Sequence, residues 1–173
     1  MSATFPVGVP ADGNVKVVFV PTIANPKVPT LVELNAASAL DITCGVTGGG
    51  FTTSTDVQTL TDERLCSTQT FEDVGTFTYA IDDVEYIITP QDSTATGENK
   101  IYNTLVPGST GFIVVRYGKA FDSAFATGDV VDVYPVKWGP QVKSAPERNT
   151  KLRAKQKPYT IAPGAQVDVK LSA

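Results

Sequence analysis

Histidine is absent from the 173-residue chain. That removes the commonest general base and the commonest metal ligand, so Ser-His-Asp catalysis, Cys-His catalysis and His-ligated zinc are excluded for this chain alone. Cysteine is almost absent as well: Cys44 and Cys66 are the only two, with no CxxC spacing, which predicts two reduced, buried thiols rather than a disulfide. No apolar run approaches the roughly 20 residues of a membrane span. The opening MSATFPVGVPADG has neither a basic region nor an apolar stretch of the kind that directs export, so a soluble chain made in a cytoplasm is expected, with no membrane partner. Long Leu/Ala/Glu/Lys segments of helical period are also missing.

What remains is rich in Val, Thr and aromatic residues, with Pro and Gly recurring throughout. That composition favours a mainly β domain with one or two short helices. The length suits one domain over 1–173, with an N-terminal arm at 1–14 and a flexible loop at 46–56 around Gly48-Gly49-Gly50. The glycine run lacks the Lys and the strand-to-helix setting of a phosphate loop.

The clearest strands flank the loop in Gly111–Trp138. Phe112-Ile113-Val114-Val115 reads as buried on both faces, and the stretch from Asp129 to Lys137 alternates. Val15–Val20, Leu40–Val46 and Val167–Leu171 read as further strands. Thr30-Leu31-Val32-Glu33 has the pattern of a capping box. Residues 96–106 make the best helix, capped by Thr96 and carrying Ile101/Leu105 and Tyr102/Val106 pairs. The stretch from Asp56 to Phe71 fits either strand-turn-strand or a short helix. From Thr76 to Ile88 the apolar parity changes at Asp82-Asp83, as a β-bulge would change it, which groups Asp82, Asp83 and Glu85 on the polar side. Adjacent carboxylates suit neither a glycosidase pair nor an EF-hand loop, so catalytic, metal and cofactor sites are expected to be none.

Charge is unevenly distributed. Between Asp56 and Glu98 ten acids, including Asp62, Glu63, Glu72 and Asp73, stand against Arg64 alone. From Lys137 to Lys157 seven bases, among them Lys143, Arg148, Lys151, Arg153, Lys155 and Lys157, stand against Glu147. Two independently solvated faces would suffice to explain this. The sharper expectation is that the basic segment of one copy meets the acidic residues of another. Lys151, Arg153, Lys155 and Lys157 fall at strict period two, which would line one face of a strand with cations.

The ordered succession TLVELNAASALDITC, TDERLCSTQTFEDVGTFTYAIDDVEYII, NTLVPGSTGFIVVRYG and GDVVDVYPVKWGPQVKSAPERNTKLRAKQK resembles the major tail tube proteins of actinobacterial tailed phages. The resemblance covers about residues 30–157. It implies a small β-sandwich or barrel-like subunit with one flanking α-helix and no active site. It further implies hexameric rings that stack into the conduit for DNA, a place in the virion after assembly in the host cytoplasm, and tape measure, terminator and distal tail proteins as partners. Within that reading Asp82, Asp83 and Glu85 are expected to face the lumen, where carboxylates would repel passing DNA. Other expectations for the same chain are a ligand-binding β-sandwich using Tyr117, Tyr134 and Trp138 as platforms, or another virion part such as a tail terminator or head decoration protein.

Overall fold

The computed structural model describes residues 5–92 and 97–173. Nine strands and two short helices follow in the order β1 (Val15–Val20), α1 (Leu31–Leu34), β2 (Leu40–Asp41), β3 (Thr53–Asp62), β4 (Phe71–Ile81), β5 (Val84–Ile87), α2 (Lys100–Thr104), β6 (Thr110–Tyr117), β7 (Val130–Lys143), β8 (Arg153–Thr160) and β9 (Gln166–Lys170). Seven of the strands form one sheet in the order β2-β1-β6-β7-β8-β5, with β9 also paired to β7. The sheet curls into a half-barrel. β3 and β4 pair only with each other.

The central strands are apolar at successive positions, and a pleated strand sends successive side chains to opposite faces. Val17, Phe19, Ile113, Val115 and Val136 therefore enter one core with Ile42, Ile81, Tyr86, Leu105 and Trp138. Val18, Val20, Val114, Val131 and Val133 enter a second core with Leu34, Phe125 and Leu171. This is why Phe112–Val115 lacks polar alternation: β6 lies between β1 and β7 and is covered on both faces. Gly118 and Gly128, both at positive φ, bound the excursion that separates β6 from β7, as the turn chemistry requires.

The capping box forms as expected. Glu33 N–H donates to Thr30 Oγ1 at 3.3 Å and Thr30 N–H donates to Glu33 Oε2 at 2.9 Å. The longer helix does not form. α2 spans only Lys100–Thr104, and its N-cap Asn99 makes no capping bond, because the Asn99 side chain accepts from Thr89 N–H instead; the expected cap at Thr96 lies outside the described residues.

Three further expectations are corrected. The strand over Leu40–Val46 stops after Asp41, where N–H groups of Gly45 and Val46 fold back onto the Ile42 carbonyl. That turn leaves Cys44 exposed, and Cys66 is exposed at the β3–β4 tip, so the two thiols are free but not buried. Asp82-Asp83 is not a bulge within one strand: the chain leaves the ribbon at Ile81 and enters the large sheet at Val84. The parity change is real, since Ile81, Val84 and Tyr86 are all buried, but its cause is a change of sheet. Of the 46–56 stretch, Val46 bridges Tyr86, Gly50 N–H bonds the Thr47 carbonyl, and residues from Thr53 onward belong to β3.

Candidate functional site

The most unusual element is the β3–β4 ribbon. Ten and eleven residues long, its strands span about 33 Å at the usual rise. From Thr53 to Thr61 and from Phe71 to Thr78 every residue except Gly75 is exposed, on both faces, while Tyr79, Ala80 and Ile81 at the base are half-buried to buried. Yet Val57, Leu60, Phe71, Val74 and Phe77 are large, apolar and at least 45% exposed, and Leu65 stands fully out at the tip. Val57 lies directly across from Phe77, whose ring meets Tyr79 edge-on at 5.6 Å. A two-stranded ribbon without a covered face is at best marginally stable in water, and apolar side chains exposed on both of its faces, Val57, Val74 and Phe77 on one and Leu60 and Phe71 on the other, mark an interaction surface. Nothing in the sequence marks this surface. Alternation was visible, but exposure depends on the absence of a covering layer, and that is a property of the fold.

Acids crowd the distal half of the ribbon. Glu72 and Asp73 sit on β4 opposite Thr61 and Leu60, and Glu63 is exposed in the tip. Asp62 is held by Arg64, whose Nε and Nη2 donate at 2.8–3.1 Å. Among the described residues no ion pair involves Glu63, Glu72 or Asp73.

The basic segment forms the strand its period predicts. On β8, Ala154, Gln156 and Pro158 are buried while Lys155, Lys157 and Tyr159 are exposed, and Lys157 lies 6.0 Å from the centre of the Tyr159 ring. Lys143 ends β7, and Arg148 and Lys151 are exposed in the connection that follows. Arg153 and Lys155 differ from the rest. The Arg153 guanidinium pairs with Glu85 at 3.2 Å and Glu147 at 3.1 Å, and Lys155 Nζ lies 3.9 Å from Glu85.

That pairing separates the three grouped carboxylates. β5 runs antiparallel to β8, with Glu85 opposite Lys155, so Glu85 accepts from Arg153, Ser144 and Thr47 and its charge is balanced within the chain. Asp82 and Asp83 remain exposed at the sheet junction, where Asp82 accepts from the hydroxyls of Thr52 and Ser54. The structure thus brings Glu85 to Arg153 and leaves Asp82-Asp83 as the net negative pair.

Of the aromatic residues expected as ligand platforms, Trp138 and Tyr134 are core, at 1% and 3% exposure, and Tyr117 is half-exposed. The Tyr86 phenol, pushed up to about 12 by burial, donates to Gln156 inside the core. Gln156 in turn donates to the carbonyls of Leu105 and Gly139, which ties α2 to the sheet. Another network, not legible in sequence, surrounds Arg116. Its guanidinium is buried on β6 and donates to Asp129, to the carbonyls of Ala120, Ser123 and Ala124, and to the Ser123 hydroxyl. Burial would raise the Asp129 carboxyl, but hydrogen bonds from Lys119, Ala126 N–H and Arg116 hold it below its ordinary value. These networks position loops and strands. Among the described residues no group of three or more Cys, Asp or Glu could hold a metal ion, and no helix is long and apolar enough to cross a membrane.

A mainly β subunit with an uncovered apolar ribbon, a basic strand face and buried polar groups spent on structure has the features of a building block. No curated protein sequence matches the chain. The profile of the family described as phage tail tube protein matches residues 2–173. The chain belongs to the phage tail tube protein family, and its role is a structural one in the virion tail.

Proposed function

We propose that copies of this chain close into hexameric rings, that the rings stack into a tube, and that the genome leaves through its bore. The observation that carries self-assembly is the ribbon: its apolar residues have no cover among the described residues, and a second copy supplies one. Charge supports the same arrangement. Lys151 and Lys157 on or next to β8 complement Glu63, Glu72 and Asp73 on the ribbon, and such fields steer like copies into register. Closure of a curled, open sheet with its neighbours also removes strand edges that would otherwise invite disordered pairing. Asp82 and Asp83 face the bore or its rim in this arrangement, where they keep DNA phosphates from sticking. Tape measure, terminator and distal tail proteins bound the tube along its length and at its ends.

Negative-stain electron microscopy of the purified, untagged chain over a concentration and salt series tests the proposal. Six-fold rings and hollow stacks are expected at high concentration; a monomer at every concentration and salt would contradict it.

A further inference from the structure

The first described residues, Phe5-Pro6-Val7-Gly8-Val9-Pro10, form an exposed arm without helix or strand, in which the prolines bias Phe5 and Val9 towards extended backbone. Phe5 is 84% exposed and Val7 98%, and no strand among the described residues pairs with the arm. Its composition is ordered at period two. In an extended chain Phe5, Val7 and Val9 project from one face, and the N–H and C=O groups of these same three residues point to one edge. The other edge belongs to Pro6, Gly8 and Pro10, where two of three residues have no N–H to donate. Such a segment can add to a sheet along one edge only. Its proline edge then stops any further strand from joining.

An acceptor of matching chemistry lies between the ribbon and the end of β8. Phe77, Thr78 and Tyr79 of β4 face Ile161, Pro163 and Ala165 across a groove of about 440 Å³ whose lining includes no charged residue. The outer edge of β4 has no partner strand among the described residues, since β4 pairs only with β3. From Thr76 to Ile81 that edge carries none of the charged residues or prolines that protect an open strand. Arm and groove are both uncharged and apolar, and each presents unpaired backbone.

We infer that the arm of one copy adds as an outer strand to β4 of a neighbouring copy, with Phe5, Val7 and Val9 seated in the groove beside Phe77 and Tyr79. The inference rests on the self-assembly proposed above and specifies one of its contacts. The arm is a latch that forms as copies meet, and its proline edge limits the pairing to one added strand.

The test uses the full chain in a Cys44→Ser, Cys66→Ser background. Copies carrying Val7→Cys are mixed with copies carrying Phe77→Cys, both at exposed positions, assembled, oxidised and run on a non-reducing gel. A covalent dimer between the two variants is expected, and it reports contact between copies only. Adding Val9→Pro to the Val7→Cys copies removes an amide from the pairing edge and lowers the dimer yield about tenfold, the worth of one backbone hydrogen bond. Adding Gly8→Pro removes an amide from the outer edge and leaves the yield unchanged. Rings or tubes that form without the dimer would overturn the latch while leaving assembly intact, as would equal effects of the two prolines. Failure of any oligomer to form would overturn assembly and the latch together.

Discussion

Asp129 sits almost wholly out of water against the Arg116 guanidinium, so removing its charge strands a cation in a low-dielectric interior. Asp129→Ala is expected to lower the unfolding free energy by about 3–5 kcal/mol, the range for breaking a buried pair, as measured by urea denaturation of the monomer. The pH dependence has a fixed sign. Because the folded carboxyl titrates below its ordinary value, its contribution is complete above the unfolded value of about 4 and is lost as pH falls through the folded one. Asp129→Asn should therefore flatten the acid limb of a stability-against-pH curve below about pH 4; an unchanged limb would assign acid sensitivity to other carboxylates. None of this was legible in FIVVRYG. The strand was, but the inward turn of Arg116 depends on a partner thirteen residues later, across a loop whose carbonyls the guanidinium also collects.

At the scale of elements, the ribbon and β8 make separable predictions. Leu60 and Val74 are 60% and 69% exposed, so the uncharged, β-branched changes Leu60→Thr with Val74→Thr should leave monomer stability within about 0.5 kcal/mol of the parent, as surface changes usually do. The same pair of changes should abolish large oligomers in sedimentation velocity. Oligomers of undiminished size would remove the ribbon from the interface. At β8, Lys151→Glu with Lys157→Glu should weaken assembly, and more so at low salt than at high, because exposed charges are screened within about 8 Å at physiological ionic strength. Glu72→Lys with Asp73→Lys should restore it if those are the partners. Arg153 and Lys155 are the wrong residues for this experiment, since their pairs with Glu85, and that of Arg153 with Glu147, make reversal a folding defect as well. The period-two cations of β8 and the Thr30–Glu33 box were legible because both patterns are local. The ribbon's exposure, the change of sheet at Asp82-Asp83 and the Glu85–Arg153 pair were not, because each depends on which strand lies beside which.

For the whole molecule, a family-wide match over residues 2–173 and a curled β sheet agree on a structural tail component. Asp82→Lys with Asp83→Lys tests the bore: tubes should still form, since neither residue is buried, while DNA release from reconstituted particles slows. Release at the parent rate would move these carboxylates off the conduit wall. The central claim is that another copy covers the ribbon, and amide hydrogen exchange measures it directly. In dilute monomer the amides of residues 53–62 and 71–81 should exchange rapidly, as a lone two-stranded ribbon opens easily. At assembling concentration the same amides should become strongly protected, along with β8. Protection elsewhere with a ribbon that exchanges equally fast in monomer and assembly would contradict the account.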